Sequence, residues 1–82
     1  MVLARRRVDE AEGVFQEAVS VARSLSYPYA EACSLYEWGL MYVGSSDSKQ
    51  GRDRLEEAAE IFRRLEARPY LELAREAIAG IE

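Results

Sequence analysis

The chain nearly superimposes on itself. A shift of 40 residues places Phe15 on Leu55, Ala18 on Ala58, Val21 on Ile61 and Leu25 on Leu65. A shift of 41 places Pro28-Tyr29 on Pro69-Tyr70, Glu31 on Glu72 and Gly39 on Gly80. The one-residue difference reads as a small loop insertion before the second proline. A period of this length means a supersecondary unit that cannot bury its apolar face alone and relies on its neighbour for a core. The repeat constrains the fold more than any single residue does.

Each period reads as two antiparallel helices. From Val8 to Leu25, apolar or small residues fall at 8, 11, 15, 18, 22 and 25, in alternating steps of three and four, which is one stripe of a helix. Pro28 suits the first position of a second helix, where its missing N–H removes a donor that would be unpaired anyway. Gly44 to Ser48 is a turn cluster, and Asp47 followed by Gln50 reads as an acidic capping box. Leu55, Ala58, Phe62 and Leu65 carry the third stripe, which stops before Arg68-Pro69 because a residue preceding proline is pushed from the helical region. Pro69 opens a fourth helix. The expected architecture is all-α: one domain over 1–82, with helices at about 3–25, 28–43, 48–66 and 69–80. No stretch alternates with period two for long enough to compete as a strand.

Composition excludes several kinds of chemistry. With 11 Lys+Arg against 15 Asp+Glu, the net charge of -4 offers no general attraction to a phosphate backbone or an anionic membrane. There is no histidine, so the commonest general base and the commonest metal ligand are both missing. Cys33 is the single cysteine, has no histidine to activate it, and reads as a small core hydrophobe. Glu56, Glu57 and Glu60 interleave with Arg52, Arg54, Arg63 and Arg64 and read as a solvated face, Glu60 and Arg64 forming an i,i+4 pair. No Gly-rich phosphate loop is present and no apolar run approaches the roughly 20 residues of a membrane span. The expectation is a cytoplasmic, non-enzymatic protein without cofactor, metal, membrane or small-molecule substrate.

At Leu35, Trp38-Gly39, Tyr42, Gly51, Leu55 and Ala58 the chain resembles the tetratricopeptide repeat, whose pattern is W-x2-L-G-x2-Y, then a small residue, a large apolar residue and Ala. Leu35 replaces the first Trp, Trp38 the Leu, and Arg63 stands where Pro is frequent. Ala11, Phe15 and Ala18 are similar to the second half of a preceding repeat, and 67–80 to the first half of a following one. In style, the run from Leu55 to Ala58 continuing to 67–70 looks like degenerate repeats of large bacterial ATPase-type regulators and cyclases. In this register residues 1–6 would be the tail of a helix whose body is absent, and Arg5-Arg6-Arg7 would oppose the positive end of a helix dipole.

The resemblance implies that Leu35, Trp38 and Tyr42 point inward, while Cys33, Tyr36, Leu40 and Val43, with Ala74 and Ala77 of the fourth helix, line a partner-binding groove. The second helix is apolar nearly all round, leaving Glu31, Ser34 and Glu37 as a narrow polar strip, and such a helix must be covered on several sides. The expected function is a scaffold or docking module for a polypeptide, or for a second copy of the chain as a two-fold homodimer. The alternative is a small DNA-associated regulator using a helix-turn-helix-like pair. Alternating charge signs on the third helix argue against it, since a reading helix needs a basic exposed face.

Overall fold

Two three-residue turns cut the chain, and they are copies of each other 40 residues apart. The computed structural model describes the backbone of residues 2–44 and 47–81 and the side chains from Glu10 onward. It contains α1 (Val2–Ser24), α2 (Pro28–Gly44), α3 (Ser48–Arg64) and α4 (Arg68–Ala79), with no strand among the described residues. After α1, Ser26 takes φ 58°, and after α3, Glu66 takes φ 56°. Ser26 N donates to Arg23 O and Tyr27 N to Ala22 O; Glu66 N donates to Arg63 O and Ala67 N to Phe62 O. This is the Schellman pairing, which satisfies the last carbonyls of a helix through one left-handed residue.

That turn, and not proline, ends α3. Arg68 is helical, so the expected stop before Pro69 is displaced to 65–67, where the left-handed Glu66 reverses the chain. No loop residue is inserted in the second copy either. Both turns have the same length, and the extra residue lies within the first turn of α4: Pro28 is the first residue of α2, whereas Pro69 is the second of α4. A proline is tolerated at both places because no intrahelical bond needs its N–H.

The start of α3 differs from expectation in the same local way. Asp47 makes no side-chain bond to the helix backbone. Its carboxylate accepts instead from Gln50 Nε2 at 2.9 Å, so the two capping-box partners bond to each other. Gly51 N nonetheless donates to Asp47 O at 3.0 Å and closes the first turn. The Ser45-Ser46 part of the turn and the side chains of Val8 and Arg5 to Arg7 lie outside the described residues.

Packing runs in sequence order, α1 on α2, α2 on α3 and α3 on α4. The core collects Val19 from α1, Ala32, Leu35, Trp38 and Tyr42 from α2, Ala58 and Phe62 from α3, and Ala74 from α4. In α1 the buried stripe therefore runs through Val19 and Ala22, while Leu25, expected on it, is 57% exposed. The turn at 25–27 carries Leu25 past the end of the α1–α2 contact.

The tightest joint is α2 against α3. A Cβ on Gly39 would stand 2.7 Å from Leu55 Cγ and 2.9 Å from Gly51 O. A Cβ on Gly51 would stand 2.7 Å from Val43 Cγ2 and 3.0 Å from Gly39 O. Backbone meets backbone here, so relief requires the helices to part. Gly13, on the exposed side of α1, has nothing within 4 Å of such a Cβ. Gly39→Ala and Gly51→Ala are each expected to destabilise the protein by about 1–3 kcal/mol through overpacking. Gly13→Ala is expected to stabilise it by up to about 1 kcal/mol through helix propensity. Chemical denaturation of the three variants checks the opposite signs.

Candidate functional site

Because Pro28 and Pro69 each stand in the first turn of a helix, the tyrosines that follow them emerge at corresponding ends of α2 and α4. The Tyr29 and Tyr70 rings meet edge to face, with centroids 5.3 Å apart at 89°. Tyr70 also stacks on the buried Phe62 at 5.3 Å, and Tyr29 meets Phe62 edge-on at 6.2 Å. This aromatic cluster ties α2, α3 and α4 together at one end, and both tyrosines keep an exposed side.

From Tyr29 a stripe continues along α2 through Cys33, Tyr36 and Leu40, in steps of four, three and four. Cys33 and Tyr36 are half-buried against the core, and Leu40 is 40% exposed. Of the six residues expected to line the groove, two belong to packing. Val43 has its Cγ2 against Gly51 in the α2–α3 joint, and Ala74 is fully buried in the core. Ala77 is half-buried on α4. Tyr29, Tyr70 and the exposed Leu73 were not among the expected liners. The repeated Pro-Tyr pair was the signal for the first two, since equal positions in a repeat project alike.

The stripe has little chemistry of its own. Burial pushes the Cys33 thiol up, the Glu37 carboxylate pushes it further, and a hydrogen bond with Tyr29 works against them. A thiol held up in this way stays protonated and weakly nucleophilic near neutral pH. Side-chain hydrogen bonding with Tyr70, reinforced by desolvation, raises the Tyr29 phenol to about 12.

The inward side of α2 is a stack. Trp38 lies between Phe15, at 6.5 Å, and Tyr42, at 6.1 Å, and the Arg54 guanidinium sits 4.6 Å from its ring centre. Arg54 is fixed by Glu57 at 2.9 Å, while Arg54 Nε is buried without a hydrogen-bond partner among the described residues. Burial and a hydrogen bond with Glu12 push the Tyr42 phenol up. This stack closes the α1–α2–α3 side.

An open groove of about 730 Å³ runs beside it, floored by Leu35 and Ile61 and edged by three arginines and five carboxylates. Its charges are largely matched: Arg23 to Glu31 at 2.7 Å, Arg54 to Glu57, and Glu60 to Arg63 at 2.8 Å and to Arg64 at 3.5 Å. The i,i+3 partner Arg63 is thus closer to Glu60 than the expected Arg64. It is also the main reason that the Glu60 carboxyl lies below its ordinary value. Among the described residues no three His, Cys, Asp or Glu side chains group to hold a metal ion, and no helix is long and apolar enough to cross a membrane.

The Tyr29 cluster carries a pH dependence. Its folded value of about 12 lies above the unfolded phenol's, which is about 10. The unfolded chain therefore releases this proton first, and deprotonation favours unfolding. The contribution is complete below about pH 10 and is lost as the pH rises through about 12. In a phenolate absorbance titration, Tyr29→Phe is expected to remove a late step; an unchanged late portion of the curve would contradict the assignment. No family model, curated protein or solved structure matches this chain.

Proposed function

We propose that the chain is a non-catalytic docking module, built as a tetratricopeptide-like fragment, that holds a polypeptide partner or a second copy of itself along the outward stripe of α2. One observation carries the reading. α2 is already packed on α1 and α3, yet it still presents Tyr29, Cys33, Tyr36 and Leu40 in a line that Tyr70 extends onto α4. Aromatic residues at the rim of an apolar strip suit a polypeptide ligand, because they offer large contact area with little entropy to lose on binding.

The repeat supports the family likeness in the proposal. The two turns share their hydrogen bonds 40 residues apart, and Gly39 and Gly51 stand where the tetratricopeptide pattern has its glycine and its small residue. Inside the module, the proposal assigns no cofactor, metal or catalytic residue. The DNA-associated alternative draws no support from α3, whose Arg54, Arg63 and Arg64 are each engaged by Glu57 or Glu60.

The test is a peptide-display selection against the purified chain, with affinities remeasured on Tyr36→Glu and Leu40→Glu. Peptides that use the stripe are expected to lose at least about tenfold in affinity, or roughly 1.4 kcal/mol, while both variants keep wild-type helix content. Selected peptides that bind both variants as they bind the wild type would remove the stripe from the account.

A further inference from the structure

The inward side of α2 shows a completed set of ring, cation and carboxylate. The Arg54 guanidinium lies over Trp38, 4.6 Å from the ring centre, and Glu57 holds it at 2.9 Å. A guanidinium over an aromatic face is attracted by the ring's negative centre, and a carboxylate at its edge fixes its position. The outward side of the same helix carries tyrosine rings and a carboxylate, and α2 supplies no cation to them.

Glu31 and Glu37 are the two carboxylates of α2, which has no Lys or Arg. Glu31 is paired with Arg23 at 2.7 Å. Glu37 is exposed, and none of the ion pairs among the described residues includes it. It follows Cys33 by four residues and precedes Leu40 by three, so it stands along the edge of the stripe that those two share. After burial, its charge is the second cause that pushes the Cys33 thiol up, and its field therefore reaches the stripe. Where Tyr70 extends the stripe onto α4, Arg68 and Arg75 do not offset that charge: at about 100° per residue, both stand on the far side of the helix from Tyr70.

We propose that the stripe takes a polypeptide segment with an arginine or lysine beside its apolar side chains, the cation lying at Glu37 and the apolar groups on Tyr36 and Leu40. The inference rests on the docking role proposed above for this stripe and names the kind of partner it selects. Charge complementarity decides the occupant. A second copy docked by the same face would bring another Glu37 and, from α2, no cation, setting like charge against like. An acidic segment is disfavoured for the same reason. A basic residue among apolar ones gains from both parts of the surface, and its charge also speeds the encounter at low salt.

The test uses, as probes, the peptides from a random display selection on the whole chain whose binding is weakened by Tyr36→Glu and Leu40→Glu. Each is expected to contain Arg or Lys, to bind less well as salt rises, and to lose about three- to tenfold in affinity on Glu37→Gln. Changing that Arg or Lys of the peptide to Gln costs a similar factor on the wild type and little more on Glu37→Gln, because both changes remove one contact. The peptide change leaves the protein untouched, so the result stands even if Glu37→Gln loses helix. Stripe-dependent peptides without a basic residue, or ones that bind Glu37→Gln as they bind the wild type, overturn this inference and leave the docking role in place. A selection that yields no stripe-dependent peptide removes both. A wild type that sediments as a dimer while Leu40→Glu is a folded monomer puts a second copy on the stripe and overturns the inference alone.

Discussion

Two glycines that face each other across α2 and α3 set the distance on which the other packing depends. With Gly39 and Gly51 each leaving a Cβ's worth of space, the helix backbones come close enough for Val43 and Leu55 to fill the flanks of the contact. Leu35, Leu55, Ala58 and Phe62 then become almost completely inaccessible to water. The apolar area gained is the main favourable term in a chain with no disulfide. A side chain at either glycine would push the helices apart and thin the core along its whole length.

That joint unites two equivalent pieces. Each is a helix, a Schellman turn through a left-handed residue, and a second helix, and the shared hydrogen bonds of the turns make the pieces geometrically alike. Likeness of the pieces leaves unlike surroundings. α2 has a neighbour on both sides, whereas α1 and α4 each have their main neighbour on one side only. The sequence of α2 reflects that position: it is the most apolar of the four helices, and even its half-covered positions hold Cys33, Tyr36 and Met41. The outward aromatic stripe is therefore a consequence of the place that α2 takes in the repeating plan.

Much of this plan is legible in the residues themselves. The 40-residue period and the four helices follow from spacing, because a helix stripe is a local property. The inward placement of Leu35, Trp38 and Tyr42 was implied instead by the family resemblance, since α2 is apolar nearly all round and spacing alone singles out no face. Which edge of a stripe is covered is not local. Val43 and Ala74 look like surface positions in a repeat register, yet the crossing of α2 on α3 turns Val43 toward Gly51, and α3 covers Ala74. Leu25 has the reverse fate, since the turn carries it beyond its neighbour. The stacking of Arg54 on Trp38 was also hidden, because an arginine in a charged run gives no sign of the ring it will cover. The Tyr29–Tyr70 contact was signalled by the repeated Pro-Tyr pair, but only as a repeat and not as a surface.

The central claim is that the close α2–α3 approach is the structural centre and that α1 and α4 are added to it. Native-state hydrogen exchange measured residue by residue tests this most directly, since amides that open together report one cooperative unit. The account predicts that the amides around Leu35 to Tyr42 and Leu55 to Phe62 are the slowest and share one opening free energy, with α1 and α4 opening at lower cost. If α1 and α2 formed the most protected unit while α3 exchanged independently, the two glycines would not be the joint on which the fold depends.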